Sequence, residues 1–289
     1  MKTKPYSSAV AGLALAVSLG MPAAHAASIV SVDATGLGLT DGDAIASIAN
    51  SGSAGLFSTV TGSVTAASHA ANNNAGVLIQ GLGFNNGAAR MNSAATSASV
   101  GLSGNASYSV TSWVWNPAFG NEEAIVAWGN RGGPDGTNAG FHQGTHAGFG
   151  AVGHWGGGPD VGWGNNGDDI DITIAKWSHL SVTYDGSETR VFINGVFSNS
   201  EIHGPFNVHG GTNVISIGSE SNNGNTTATP IPYSGTIAQL QVWDTTLSDQ
   251  DVLDNYNERA AYFVDGIPEP TTSLLGVLGL MLFGLRRRR

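Results

Sequence analysis

The sequence predicts an all-β domain of the sandwich class, and three observations carry that expectation. Apolar and polar residues alternate with a period of two in several short runs. Gly, Asn, Ser and Thr punctuate those runs, and helical periodicity is nearly absent.

The runs can be justified in order. Tyr108–Trp115 alternates and is closed by Asn116-Pro117, and Trp177–Tyr184 alternates and is closed by Asp185-Gly186. Thr189–Ile193 follows at once, so Asp185–Glu188 predicts a hairpin turn. Asn194-Gly195 predicts a second tight turn into Val196-Phe197, with Gly supplying the positive φ such turns need. Val214–Gly218 and Gly235–Trp243 complete the clear set. Trp113, Trp177 and Trp243 sit inside these strands and are expected to pack in the core or on a sheet face. One helical turn is expected after Ser248, an N-cap followed by acids, with Leu253 and Tyr256 facing inward. Residues 44–75 are rich in Ala, Ser, Asn and Gly. Leu56-Phe57 and, just beyond, Val77-Leu78-Ile79 nevertheless place strands there, so the segment belongs to the domain. Many short strands with turns at this spacing indicate a sandwich or jelly roll.

The two ends read differently. Lys2 and Lys4, an apolar stretch from Ala9 to Leu19, and Ala24-His25-Ala26 form a signal-peptide pattern over residues 1–26. Residues 27–266, about 240 in all, can bury one full core without staples. Residues 267–289 hold Pro268-Glu269-Pro270, an apolar stretch from Leu274 to Leu285 and Arg286, Arg287, Arg288 and Arg289. Terminal arginines favour the cytoplasmic side of a membrane. This ordered triplet resembles the PEP-CTERM sorting tail of Gram-negative bacteria. That resemblance implies a short transmembrane helix, recognition and removal by an exosortase-type transpeptidase, and delivery through the inner membrane to the surface or an extracellular matrix.

The chain has 11 Lys and Arg against 21 Asp and Glu, a net charge of −10. Six of the basic residues lie in the end segments, so between Ala27 and Pro270 five face 21 acids, near −16. So acidic a surface repels phosphate backbones and excludes nucleic acid as the expected partner. It attracts cations such as Ca²⁺, although solubility alone also explains it. There is no cysteine, so an exported fold here does without disulfides.

The strand set resembles the laminin-G-like (pentraxin-like) branch of the concanavalin A-like lectin/glucanase superfamily. Ser109–Val114 is similar to its "FTISAWV" strand, Lys176–Gly186 to "WHHVAVTYDG", and Arg190–Val196 to "LYVDG". Ile215–Gly218 is similar to "LxIG", Tyr233–Trp243 to "FxGxIDDVRIYN", and Leu247–Val252 to "LSDEEI". Val32–Leu37 and Gly81–Phe84 are similar to its opening elements. The resemblance implies a single jelly-roll β-sandwich. The superfamily's glucanases hydrolyse glycosides with a Glu-x-Asp-x-x-Glu strand, which sets carboxylates on one face. That motif is missing here: Glu122-Glu123 lacks the Asp and third acid, and Asp169-Ile170-Asp171 has no following carboxylate. No catalytic residues are expected.

Two constellations remain. Asp160, Asp168, Asp169 and Asp171 are oxygen ligands near Asn165-Asn166, a candidate Ca²⁺ site; a solvated strand end explains them equally. Gly140–Gly167 carries Phe141, His142, His146, Phe149, His154, Trp155 and Trp163 among glycines. Aromatic faces on such loops stack against sugar rings, which makes Trp155, Trp163 and His154 the candidate carbohydrate-binding residues. The competing expectation is Gly where strands pack closely. His142 and His146 have helical zinc spacing, but Gly144 opposes a helix. The sequence therefore points to an exported, non-catalytic module binding carbohydrate or a cell surface. The alternatives are a structural matrix protein without a discrete site and a divergent glycoside hydrolase.

Overall fold

A computed structural model describes residues 28–85, 89–134, 136–154, 159–221 and 227–267. The signal-peptide pattern, Pro268, Glu269, Pro270 and Arg286–Arg289 lie outside them. Among the described residues no helix is long and apolar enough to cross a membrane.

The chain forms, in order, β1 (Val30–Asp33), β2 (Ser47–Ile48), β3 (Phe57–Thr61), β4 (Thr65–Ala71), β5 (Asn74–Gly83) and β6 (Arg90–Thr96). Next come β7 (Tyr108–Trp115), β8 (Ala124–Gly129), β9 (Asn138–His142), β10 (Val152–Gly153), β11 (Ser178–Tyr184) and β12 (Glu188–Ile193). The last strands are β13 (Val196–Ile202), β14 (Val214–Ile217), β15 (Ser219–Ser221), β16 (Thr227–Pro232) and β17 (Thr236–Trp243), followed by helix α1 (Asp249–Asp265).

One sheet runs β13-β12-β11-β7-β17-β5-β4, with β1 also paired to β17; the second runs β10-β9-β8-β14-β6-β3-β2. All strand pairs are antiparallel, so one face of each sheet can pack while the other is treated differently. The inner faces meet through Val110, Val114, Leu180, Val182, Leu240 and Val242 from the first sheet. Phe57, Met91, Val126, Phe141, Ile215 and Ile217 oppose them from the second. This is an all-β sandwich of jelly-roll type, as the period-two runs require.

The turns follow their residues. Asn194 and Gly195 both have positive φ, 52° and 76°, and join β12 to β13 as a two-residue hairpin with Ile193 opposite Val196. The helix is a correction to the single turn expected: it runs for 17 residues. Ser248 caps it with a reciprocal capping box to Asp251, and Gly266 at φ 68° ends it. Val252 and Phe263 are its buried residues, whereas Leu253 and Tyr256 are only half-buried. The helix crosses the outer face of the first sheet. There it covers Trp113, Trp177 and Ile79 with Phe263, and Phe192 and Trp243 with Val252. Trp113 lies flat on Phe263 at 4.2 Å and 7°. The three tryptophans placed inside strands thus pack on a sheet face, beneath a helix.

Candidate functional site

The glycine-rich segment is built around close backbone contacts. A Cβ on Gly162 would stand 1.8 Å from the Ala147 carbonyl oxygen, on Gly144 2.2 Å from that of Asn121, and on Gly167 2.3 Å from that of Thr145. Only Gly allows these approaches, so the glycines knit the loops together.

Two of the predicted sugar-stacking residues are consumed by that packing. Trp163 is fully buried and donates its indole N–H to the Gly150 carbonyl at 3.0 Å. His154 is fully buried against Phe206 at 3.9 Å, its Nδ1 bonded to the Asn138 carbonyl at 2.8 Å. Burial pushes the His154 pKa down to about 3, so it is a neutral core histidine. Neither ring offers a face to a ligand; Trp155 lies outside the described residues.

Linked to His154 through Asn138 is a buried ionic cluster. On β9, Ala139 and Phe141 enter the core, so Asn138, Gly140 and His142 take the opposite face. His142 Nε2 meets Glu220 Oε2 at 2.6 Å, and Asn138 donates to Glu220 Oε1 at 2.6 Å. Arg131 Nε stands 3.6 Å from the same carboxylate. A Cβ at Gly140 would lie 2.3 Å from Glu220 Oε2, which is why this position has no side chain. Burial opposes protonation of His142, but the bond and charge of Glu220, with Glu122 and the Phe149 carbonyl, raise its pKa overall.

The acidic residues do not gather. Asp160 accepts the His154 backbone N–H, and burial with the charges of Glu220 and Glu122 lifts its pKa to about 6. Asp168 precedes a 3-10 turn, Asp169–Thr173, without a side-chain capping bond, and Asp169 accepts from Ser198 at 3.2 Å. Among the described residues no group of three or more His, Asp or Glu is placed to hold a metal ion, so the expected Ca²⁺ cluster is not assembled. Asp160 is tied to the buried cluster, while Asp168, Asp169 and Asp171 are exposed on the turn.

What the segment does expose is a different ring. His146 stacks on Phe149 at 3.5 Å and 12°, and Gly148 N–H donates to His146 Nδ1 at 3.0 Å. With Nδ1 accepting, the ring hydrogen sits on Nε2, and the residue as a whole is exposed. The close approach of Gly167 to Thr145 and Ala147 brings exposed Asn165, Asn166 and Asp168 alongside. An exposed ring, two exposed amides and an exposed carboxylate are therefore carried by two loop stretches whose backbones touch at Gly167. A ring face can stack and the amides can both donate and accept, which is the chemistry sugar hydroxyls need. The sequence held the signal, His146-Ala147-Gly148-Phe149 at the crest of the glycine run, but the larger tryptophans outweighed it.

A sequence profile of the family described as the concanavalin A-like lectin/glucanases superfamily matches residues 86–253. No curated protein matches the sequence. Similar solved structures include the binding domain of botulinum neurotoxin serotype G, with TM-score 0.48 and 15% identity over 81% of this chain and 51% of that one. Domain 4 of AbnA, a GH43 extracellular arabinanase from Geobacillus stearothermophilus in complex with arabinotriose, has TM-score 0.41 and 19% identity over 67% of this chain and 87% of that one. The binding domain of Paraclostridial Mosquitocidal Protein 1 has TM-score 0.39 and 13% identity, over 80% and 52%. The chain spans about half the length of the two toxin binding domains. These are likenesses of fold alone.

Proposed function

This chain belongs to the concanavalin A-like lectin/glucanases superfamily, and from that premise we propose that it is a non-catalytic saccharide-binding module, exported and held at the cell surface or in a polysaccharide matrix. The observation that carries the binding is the His146–Phe149 pair, an exposed ring already fixed by stacking and by the Gly148 N–H. Such preorganisation lowers the entropic cost of holding a ligand.

The non-catalytic reading is supported by how the acids are used. Glu123 accepts from Asn116, from Gly120 and twice from Ser234, so its carboxylate holds loops together. Glu220 is engaged by His142 and Asn138. Export rests on Lys2, Lys4 and Ala24-His25-Ala26 for signal peptidase, and on Pro268-Glu269-Pro270 and the terminal arginines for an exosortase-type transpeptidase. The second reading, a structural matrix protein without a discrete site, is favoured by the burial of Trp163 and His154.

The test is pull-down and titration against matrix polysaccharide with wild type, His146→Ala and Phe149→Ala. Loss of one stacked ring is expected to weaken binding about three- to tenfold without moving the melting temperature. Unchanged binding by both variants would remove the rim; no binding by wild type would leave the structural reading.

A further inference from the structure

On the outer face of the first sheet, between β1, β17 and α1, lies a cleft of about 170 Å³ walled chiefly by Asp33, Gln239, Gln241, Asn255, Glu258 and Arg259. The β1–β17 ladder sets Ser31 opposite Gln241 and Asp33 opposite Gln239, so four outward side chains form the floor.

The amides of this floor have fixed senses. Gln239 Nε2 donates to Asp33 Oδ2 at 2.8 Å, which turns Gln239 Oε1 outward as an acceptor. Gln241 is set the opposite way by a relay. Burial pushes the pKa of His179 down to about 4, so its ring is neutral. Ser181 Oγ lies 3.3 Å from its Nδ1, and Nε2 lies 2.9 Å from Asn255 Oδ1. Ser181 therefore donates to Nδ1 and Nε2–H donates to Asn255. Asn255 Nδ2 then donates to Gln241 Oε1 at 2.8 Å, which leaves the Gln241 amide N–H groups for the cleft. A donor and an acceptor stand two residues apart, fixed before any ligand arrives.

Charge and size narrow the ligand. Asp33 and Arg259 pair at 3.1 Å and offset each other. Hydrogen bonds from Thr35 and Gln239 and the Arg259 charge outweigh burial and keep Asp33 ionised. Glu258 is exposed and bonds to none of the described residues, so the cleft carries one uncompensated negative charge. Its volume of about 170 Å³ lies below the roughly 300–1,000 Å³ of pockets for drug-sized ligands, which suits one sugar ring rather than an oligomer. No aromatic ring lines it, so recognition here is by hydrogen bonds and charge.

We propose that this cleft is a second binding site, taking a single sugar ring that bears a primary ammonium group. Glu258 pairs the ammonium, Gln241 donates to one ring hydroxyl and Gln239 accepts from another. The cleft is distinct from the His146 rim and does not depend on it.

The experiment titrates the whole chain with D-glucosamine, D-glucose and D-glucuronate near neutral pH. Glucosamine should bind best, glucose about two- to fivefold more weakly, and glucuronate weakest. Glu258→Gln, an exposed and conservative change, should bring glucosamine to the level of glucose. Gln241→Leu should weaken both by about two- to tenfold. His146→Ala should change none of the three. Equal binding of glucuronate and glucosamine, an unaltered preference in Glu258→Gln, or no binding of any of the three sugars overturns the proposal.

Discussion

Replacing Glu220 by Gln tests the buried cluster most sharply. The carboxylate is 3% exposed and takes bonds from His142 and Asn138, both at 2.6 Å, with Arg131 at 3.6 Å. The Gln side chain has only one oxygen, so its amide group must face one donor with another. Removing one partner of a buried pair costs about 3–5 kcal/mol. For a domain of this size each kcal/mol moves the melting temperature by about 2–4 °C, so the drop should be about 6–20 °C. The sign with pH follows from His142. Its folded pKa lies above the ordinary 6.5, so the stabilisation is full below 6.5 and is lost as pH rises through the folded value. Asp160 acts in the same sense. Its folded pKa is about 6 against 3.8, and stability falls as pH rises from 3.8 through 6. His69, His154 and His179 act in the opposite sense, because their folded pKa values of about 4, 3 and 4 lie below 6.5 and their contribution is lost as pH falls below 6.5. The cluster is therefore read from the difference between variant and wild type in thermal melts followed by circular dichroism at about pH 5 and pH 9. The deficit of Glu220→Gln should be larger at pH 5, where His142 is protonated in the folded wild type, than at pH 9. A variant that melts within about 2 °C of wild type at both values, or one whose deficit is larger at pH 9 than at pH 5, would refute the reasoning.

Two further outcomes are expected. Ser248→Ala removes the hydroxyl that accepts from Asp251 N–H and should lower stability by about 1 kcal/mol, read as a shift of denaturant midpoint at constant slope. Deleting Pro268–Arg289 should move the protein from the cell surface to periplasm or medium on fractionation; an unchanged distribution counts against the sorting role.

The strands were legible because period two is a local property. Tyr108–Trp115 and the Thr189–Ile193 run bounded by Asn194-Gly195 declare themselves within a few residues. The helix was legible only at its cap. Its buried residues, Val252 and Phe263, are separated by polar turns, and the surface they cover comes from Trp113 and Ile79, far away in sequence. The site was harder for the same reason. Trp163 carries the composition of a ligand platform, and its burial follows from contacts such as Gly162 against Ala147 that no local pattern encodes. The paired outward Gln239 and Gln241 were readable as a polar strand face. Asp33, the partner of Gln239, and Ser31, opposite Gln241, sit about 200 positions earlier, and only the β1–β17 ladder joins them.

The last turn of α1 is bonded to the loop between β4 and β5. Asn72 and Asn73 donate backbone N–H groups to Phe263 and Val264 at 3.1 and 2.7 Å. The Asn73 and Asn74 side chains reach Asp265 at 2.9 and 3.3 Å. Tension applied at Ile267 therefore meets bonds arranged in parallel, which must yield together before the helix can unwind. The load passes into the β4–β5 ladder and from there across the sheet. A pull on the chain at Ile267 would therefore be met by the sheet under shear as well as by the helix, which would not be drawn out turn by turn.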